Sequence, residues 1–499
     1  MRDDAGRIRS ELPPTMSEVG FWSASRVAKA IARRELSSRE HLEHLLERIE
    51  RLDGPLGLVV TVDAERARRE ADAADDAVRR GEELGPLHGV CMTVKDSLMT
   101  AGMRTTCGAP RYADFVPEVD SAPVGRLRAA GAIVLGKTNL PIWANDAQSY
   151  NEVFGTSSNP WDPTRTVGGS SGGSAGALAA GFTPLEVGSD IAGSIRGPAS
   201  TCGVAGHKPT YGVVSARGQI PGPPGTLTQA DLAVVGPMAR TVHDLELGLE
   251  VLAGPDDWNR IAYRLELPPP RHDRLADYRV ALWIDEETAP IDPEVRRLLV
   301  AASEALADAG ATVDERARPD FTFEYATRVF QQLLAAALAG GYSRDEIERM
   351  AASGEPGDGL VPGAYALRHR DWLSANERRL QMRRKWRDLF DRATGRGWDA
   401  VLMPCLPVPA FPHDHSEPQG ERRITVGGEE RPYLDLLLWA GVTGVSWLPA
   451  TVVPVGLTSQ GLPVGIQIAG PFLEDRTTLD LARRVEEILG GFNTPPGFA

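Results

Sequence analysis

Residues 167–210 read VGGSSGGSAGALAAGFTPLEVGSDIAGSIRGPASTCGVAGHKPT, and this stretch of glycine, serine and alanine constrains the fold more than any other part of the chain. Such a run is a flexible linker, a phosphate cradle, or a place where backbone and hydroxyl groups do chemistry. Its local pattern predicts a turn leading into a helix of small residues at 174–180, then a strand ending near Ser189-Asp190. A tight Ala192-Gly193-Ser194 turn follows, and Pro198 marks the start of another helix. A turn of this kind leaves successive backbone N–H groups unpaired and pointing one way. That suits an oxyanion, with Ser194 at the tip as the attacking group.

The rest of the chain predicts what surrounds that turn. SASRVAKAIARRELSSREHLEHLLERIERL has helical spacing with a capping box at Ser37–Glu40, giving two surface-facing helices, and DAERARREADAADDAVRRGE is a further charged helix. From about Leu87 short apolar strands alternate with small-residue helices: GVCMTVKD, AIVLGKT, FTPLEVGSD, YRVALWIDE, DAVLMPCLP, ATVVPVGL and LPVGIQIAG. This alternation predicts an α/β fold, a single large domain around a central mixed twisted sheet flanked by helices. The expected divisions are a loose N-terminal extension over 1–15, N-terminal helices over 16–84 and a core over 85–499, with a helical, substrate-covering insertion at about 321–393.

Composition excludes several functions. The chain has 499 residues, 42% of them hydrophobic, enough for a large core. Its formal charge of −14 argues against nucleic acid or an anionic membrane as a partner. Residues 436–472 hold no charged group, but Pro449, Pro454 and Pro463 break the run below the roughly 20 apolar residues a spanning helix needs. The first residues lack an apolar signal region, and the cysteines Cys91, Cys107, Cys202 and Cys405 lack metal spacing, so a cytoplasmic protein with reduced thiols and no metal is expected.

Two familiar motifs compete for the glycine-serine chemistry. GAIVLGKT at Gly131–Thr138 matches a phosphate-loop pattern and would make a nucleotide-binding module. Its four intervening residues, however, read as a strand, and Pro141 stands where the helix should run. Ser170 and Ser171 both fit the G-x-S-x-G nucleophile elbow, but loop-like SSNPWDPTRTVGG precedes them instead of a strand. His413 and His415 in FPHDH read as an exposed loop pair.

A serine nucleophile needs a base. Lys95 lies on the strand GVCMTVKD, where both parities look buried. Burial penalises the ammonium form, so the lysine becomes a proton acceptor. The alternative is a plain ion pair with Asp96 or Asp190, and the residues alone leave the two open.

With these pieces in place the chain resembles the amidase signature family, which includes fatty acid amide hydrolase, bacterial aryl-acylamidases and the A subunits of amidotransferases. The likeness runs from roughly Leu84 to the C-terminus, through GPLHGVCMTVKD, VLGKTNLP, the glycine-serine region, GPMARTVHDL and LPATVVPVGLTSQGLPVGIQIAGP. It implies Lys95, Ser170 and Ser194 as catalytic residues, the serines 24 positions apart. It also implies backbone N–H groups of Ile191, Ala192, Gly193 and Ser194 as an oxyanion hole, with Ser171, Ser189, Asp190 and Arg196 supporting the turn.

No cofactor is implied. The implied function is hydrolysis of a small apolar or aryl amide through an acyl-enzyme, with carbamates (urethanes) and esters as further substrates, by a monomer or homodimer. An amidotransferase component of the A type, releasing ammonia from glutamine, is the alternative. Two features depart from the common pattern of the family: Ala192-Gly193 stands where many members have Gly-Gly, and Pro141-Ile142-Trp143 occupies the stretch after GKTN where members commonly carry an acidic residue. The second predicts an apolar pocket wall at Ile142 and Trp143.

Overall fold

The computed structural model describes residues 19–220, 222–352, 362–393 and 397–498, so the extension expected over 1–15 lies outside the described residues. Runs rich in β-branched and other apolar residues become strands: β1 Val59–Val62, β2 Cys91–Lys95, β3 Ile133–Thr138, β4 Leu185–Asp190, β5 Ala205–Lys208, β6 Val234–Ala239, β7 Arg279–Leu282, β8 Thr312–Asp314, β9 Ala400–Pro404, β10 Ala450–Leu457 and β11 Pro463–Ala469. Eight of them form the expected mixed sheet, in the order β8-β7-β9-β11-β10-β5-β6-β4. It is parallel only at the β8-β7-β9 side and antiparallel elsewhere.

A second, three-stranded sheet, β1-β3-β2, stands beside the β4 edge. Side-chain hydrogen bonds join them: the Thr93 N–H donates to Thr183 Oγ1, just before β4, at 3.1 Å, and the Thr93 and Thr138 hydroxyls donate to the Glu186 carboxylate at 2.6 and 3.1 Å. Strand β1 has no counterpart among the elements expected from sequence. Its four residues, Val-Val-Thr-Val, lie between two long charged helices, and antiparallel pairing with β3 supplies the partner that so short a run lacks alone.

The N-terminal helices Ala24–Ala32 and Ser38–Leu52 form as predicted, with the Ser37/Glu40 capping box in place. They bury one face through Val27, Ile31, Leu42 and Leu45, more than a surface-facing reading implies. Asp244 accepts N–H bonds from Ala24 and Ser25, at 2.6 and 3.0 Å, and ties the first helix to Val242–Leu252.

The segment expected to be helical holds helices Phe323–Leu338, Arg344–Ala352 and His369–Phe390. Phe330, Leu333 and Trp386 seat it in one apolar cluster with helix Leu438–Val445. The charge-free residues 436–472 fold into that short helix and strands β10 and β11, and no described helix is long and apolar enough to cross a membrane.

The GAIVLGKT match is disposed of by the same topology. Residues 133–138 are β3, buried throughout. The Lys137 ammonium bonds to the Leu98 carbonyl and, at 3.0 Å, to the Thr100 hydroxyl. Strand geometry leaves no nest of free N–H groups for phosphate.

Candidate active site

Strand β2 ends at Lys95 and β4 ends at Asp190, and the proximity of the two sheets brings the lysine to the glycine-serine turn. Lys95 is wholly buried, and its Nζ lies 2.7 Å from Ser170 Oγ, 2.9 Å from Ser171 Oγ and 3.0 Å from Ser189 Oγ. Among the described residues no carboxylate pairs with it. Asp190 is bound by Arg196 at 2.8 Å, both side chains fully buried. Asp96 accepts from the Thr106 N–H at 3.0 Å and the Thr106 hydroxyl at 2.5 Å. The ion-pair alternative for Lys95 therefore falls. Burial pushes its pKa down to about 7, against weaker opposing pulls from Cys107, Asp190 and Glu186.

The hydroxyl pattern distinguishes the three serines. Ser171 Oγ donates to the Ser189 carbonyl at 3.2 Å and accepts from the Ser189 N–H at 3.3 Å, so its own proton is committed. A neutral amine has two N–H donors and one lone pair, and Ser170, at the shortest distance, fits as the hydroxyl that donates to the lone pair.

Ser194 lies one turn away and is 8% exposed. Its carbonyl accepts from the Ser171 N–H at 3.0 Å, which holds the two turns together. Among the described residues no hydrogen bond joins the Ser170 and Ser194 hydroxyls. Ser170 thus hydrogen-bonds the lysine and not the hydroxyl of the expected nucleophile.

The turn is held from inside by Asp190. Its carboxylate accepts from the N–H groups of Gly193, Ile195 and Arg196 at 2.9, 3.1 and 3.3 Å, and from the Arg196 guanidinium. Burial alone would raise the Asp190 pKa, but Arg196 and these donors hold it well below the usual carboxylate range. This corrects one expected oxyanion donor: the Gly193 N–H is spent on Asp190. The N–H groups of Ile191, Ala192 and Ser194 have no acceptor among the described residues.

Arg196 is fixed in turn by the Gln467 side-chain oxygen at 2.5 Å and by Thr443 Oγ1 and the Ala440 carbonyl, each at 2.8 Å. Neither Gln467 nor Thr443 was among the residues expected from sequence. The signal for Gln467 was present as a lone amide in the apolar strand PVGIQIA. Lys208 was also missed: it is buried, its Nζ bonds the Pro209 carbonyl at 3.1 Å, and burial together with Arg196 pushes its pKa down to about 7.

The glycines of GGSSGG serve close approach. A Cβ on Gly173 would sit 2.4 Å from the Asn139 nitrogen, and one on Gly169 would sit 2.5 Å from the Asp146 carbonyl oxygen. Of the anticipated wall, the Trp143 backbone N–H donates to the Cys107 carbonyl at 2.9 Å and its ring packs edge-on against Tyr112. Ile142 is 38% exposed. The FPHDH histidines are partly buried instead of exposed: His415 stacks on Tyr150 with ring centroids 3.8 Å apart, and His413 lies edge-on to it.

Comparison with known proteins gives the chain its family. A family profile described as Amidase matches residues 40–479. The glutamyl-tRNA(Gln) amidotransferase A subunit of Synechococcus sp. (strain RCC307) is 35% identical over 494 residues, covering 94% of this chain and 96% of that protein. Among solved structures, a chain of an inhibitor-bound protein complex that reveals the evolutionary origins of an s-triazine catabolic enzyme superposes with a TM-score of 0.80 at 28% identity, covering 95% of this chain and 100% of that one. A 6-aminohexanoate cyclic dimer hydrolase complexed with substrate gives 0.74 at 28% identity, covering 94% and 97%. On the strength of a match spanning most of its length, the chain belongs to the amidase family, with the mixed-sheet fold of its members.

Proposed function

We propose that the chain cleaves a carboxamide C–N bond, with Ser194 as nucleophile, Lys95 as base and Ser170 as proton relay. The observation that supports this most is a wholly buried lysine, without an acid partner among the described residues, ringed by three serine hydroxyls. In this reading neutral Lys95 takes the Ser170 proton while Ser170 takes that of Ser194, and Ser194 Oγ bonds to the carbonyl carbon. The N–H groups of Ile191, Ala192 and Ser194 receive the oxyanion. The proton returns through Ser170 to the leaving nitrogen, and a second nucleophile releases the acyl group. The Ser170–Ser194 hydrogen bond forms on substrate binding, when catalytic contacts tighten.

Two substrate classes fit this chemistry. The comparisons support the amidotransferase reading better: the 35% relative is an amidotransferase component that this chain matches over 94% of its length. In that version glutamine is the amide and partner subunits receive the ammonia. One observation favours the other version, a hydrolase of small apolar or aryl amides, carbamates and esters. Ile191 and Ala192, beside the nucleophile, pack into an apolar cluster with Trp439, Trp447 and Phe472.

Kinetics of the purified chain decide between them. Glutaminase activity that appears with co-purified partner subunits assigns the amidotransferase, whereas turnover of anilides or carbamates by the chain alone assigns the hydrolase. Full activity of Ser194→Ala on every substrate would sink both.

A further inference from the structure

Helix His369–Phe390 carries seven basic residues against three acidic ones, in a chain of formal charge −14. Arg383, Arg384 and Arg387 fall on one stripe of that helix, at i, i+1 and i+4. They line a cavity of about 820 Å³ together with Leu448 and Phe472. Of the other charged groups lining it, Arg271 donates to both oxygens of Glu474, at 2.5 and 2.8 Å, so that pair cancels internally, and Asp391 sets one negative charge against the three arginines.

The stripe is left with excess positive charge. Among the described residues no ion pair neutralises Arg383 or Arg384, and Arg387 has only its neighbour Asp388, at 3.6 Å. Arg383 is also fixed in place, its guanidinium 4.4 Å from the Phe472 ring and 5.3 Å from the Trp447 ring. Burial and the nearby charge of Arg379 both disfavour its protonated form. A negative group in the cavity relieves both penalties. Three arginine forks around a space of this size, with an aromatic face on one side, suit bidentate capture of oxyanions on a carbon framework.

We propose that this cleft binds a small organic anion bearing phosphate or carboxylate groups, held by Arg383, Arg384 and Arg387 with its framework against Phe472 and Leu448. None of the residues lining it belongs to the Lys95, Ser170 and Ser194 set, so Ser194→Ala binds the ligand unchanged.

Titration with pyrophosphate and, separately, citrate tests the cleft, read by calorimetry and by tryptophan emission, Trp447 lying beside Arg383. Saturable binding of at least one probe is expected, weakening with added salt and by about tenfold or more in Arg384→Glu and Arg387→Glu. Both side chains are exposed, so these variants fold. Binding of pyrophosphate alone assigns a phosphate ligand, and of citrate alone a carboxylate ligand. Absence of saturation by either up to about 10 mM, or equal affinity in the charge-reversed variants, overturns the proposal.

Discussion

Lys95 Nζ lies 2.7 Å from the Ser170 oxygen, whereas Asp190, at the end of the neighbouring strand β4, is held by Arg196. This division of partners decides the protonation chemistry. An Asp190–Lys95 pair would lock the lysine as an ammonium; with the carboxylate bound to arginine, burial can neutralise it.

The first prediction is a pH profile. With its pKa near 7, Lys95 is an ammonium below that value and a base above it. The kcat/KM for an amide substrate therefore rises through about pH 7 and levels off above. Lys95→Ala lowers the rate by about 10²–10⁴-fold. Glu186 and Lys208 also titrate near 7, so the assignment rests on the variant losing the rising limb. A Lys95→Ala enzyme that keeps the limb would show the base to be another group.

Lys208 offers a stability test separate from the nucleophile. Its folded pKa is about 7 against an ordinary 10.5. Below 7 both folded and unfolded chains carry the proton, and the full burial penalty applies. Between 7 and 10.5 only the unfolded chain holds it, so stability lost to the buried charge at low pH is not lost there in the same way: the folded lysine is neutral, and the remaining cost is that of releasing its proton, which fades as pH rises. Lys208→Met is expected to stabilise the fold by on the order of 3 kcal/mol near pH 6, with the gain shrinking toward pH 10. Denaturant melts at both pH values measure this, and a pH-independent difference would contradict it.

Asp190→Asn strikes the turn itself. It leaves Arg196 buried without its carboxylate and gives the Gly193, Ile195 and Arg196 N–H groups a weaker acceptor. The expected loss is about 3–5 kcal/mol of stability. Activity falls further than stability explains, which a kcat measurement well below the melting temperature detects.

Two glycines make the steric prediction. Gly193 has φ +110°, and a Cβ there would meet Ala440 Cβ at 2.9 Å; at Gly173 a Cβ would meet backbone atoms of Asn139 at 2.4 and 2.6 Å. Gly173→Ala should destabilise by about 1–3 kcal/mol or more, since backbone on both sides must shift. For Gly193→Ala, where a positive φ and a clash combine, Gly428→Ala is the comparison, at an exposed position with φ +90° and nothing within 4 Å, and thermal melts of the variants measure the difference.

Local pattern along the chain accounts for a good deal of the fold and of the candidate site. The strands around Lys95 and Asp190, the small-residue helix after Ser171 and the turn at Ser194 were all legible, because each rests on local pattern: apolar runs, capping residues and glycine. The supporting roles of Ser171, Ser189, Asp190 and Arg196 were approached through the family resemblance, and the structure brings these four together around the turn.

Tertiary structure decided what depends on distant partners. That Lys95 belongs to a separate three-stranded sheet, with β1 on its far edge, follows from pairing that four residues of Val-Val-Thr-Val do not announce. That Asp190 chooses Arg196 over Lys95, and takes up the Gly193 N–H, is settled by Gln467, Thr443 and Ala440, which lie 244 to 271 positions along the chain from Arg196. Burial and partner choice are sums over neighbours that only the folded chain assembles, and in this protein they set both the charge of the lysine and the donors left for an oxyanion.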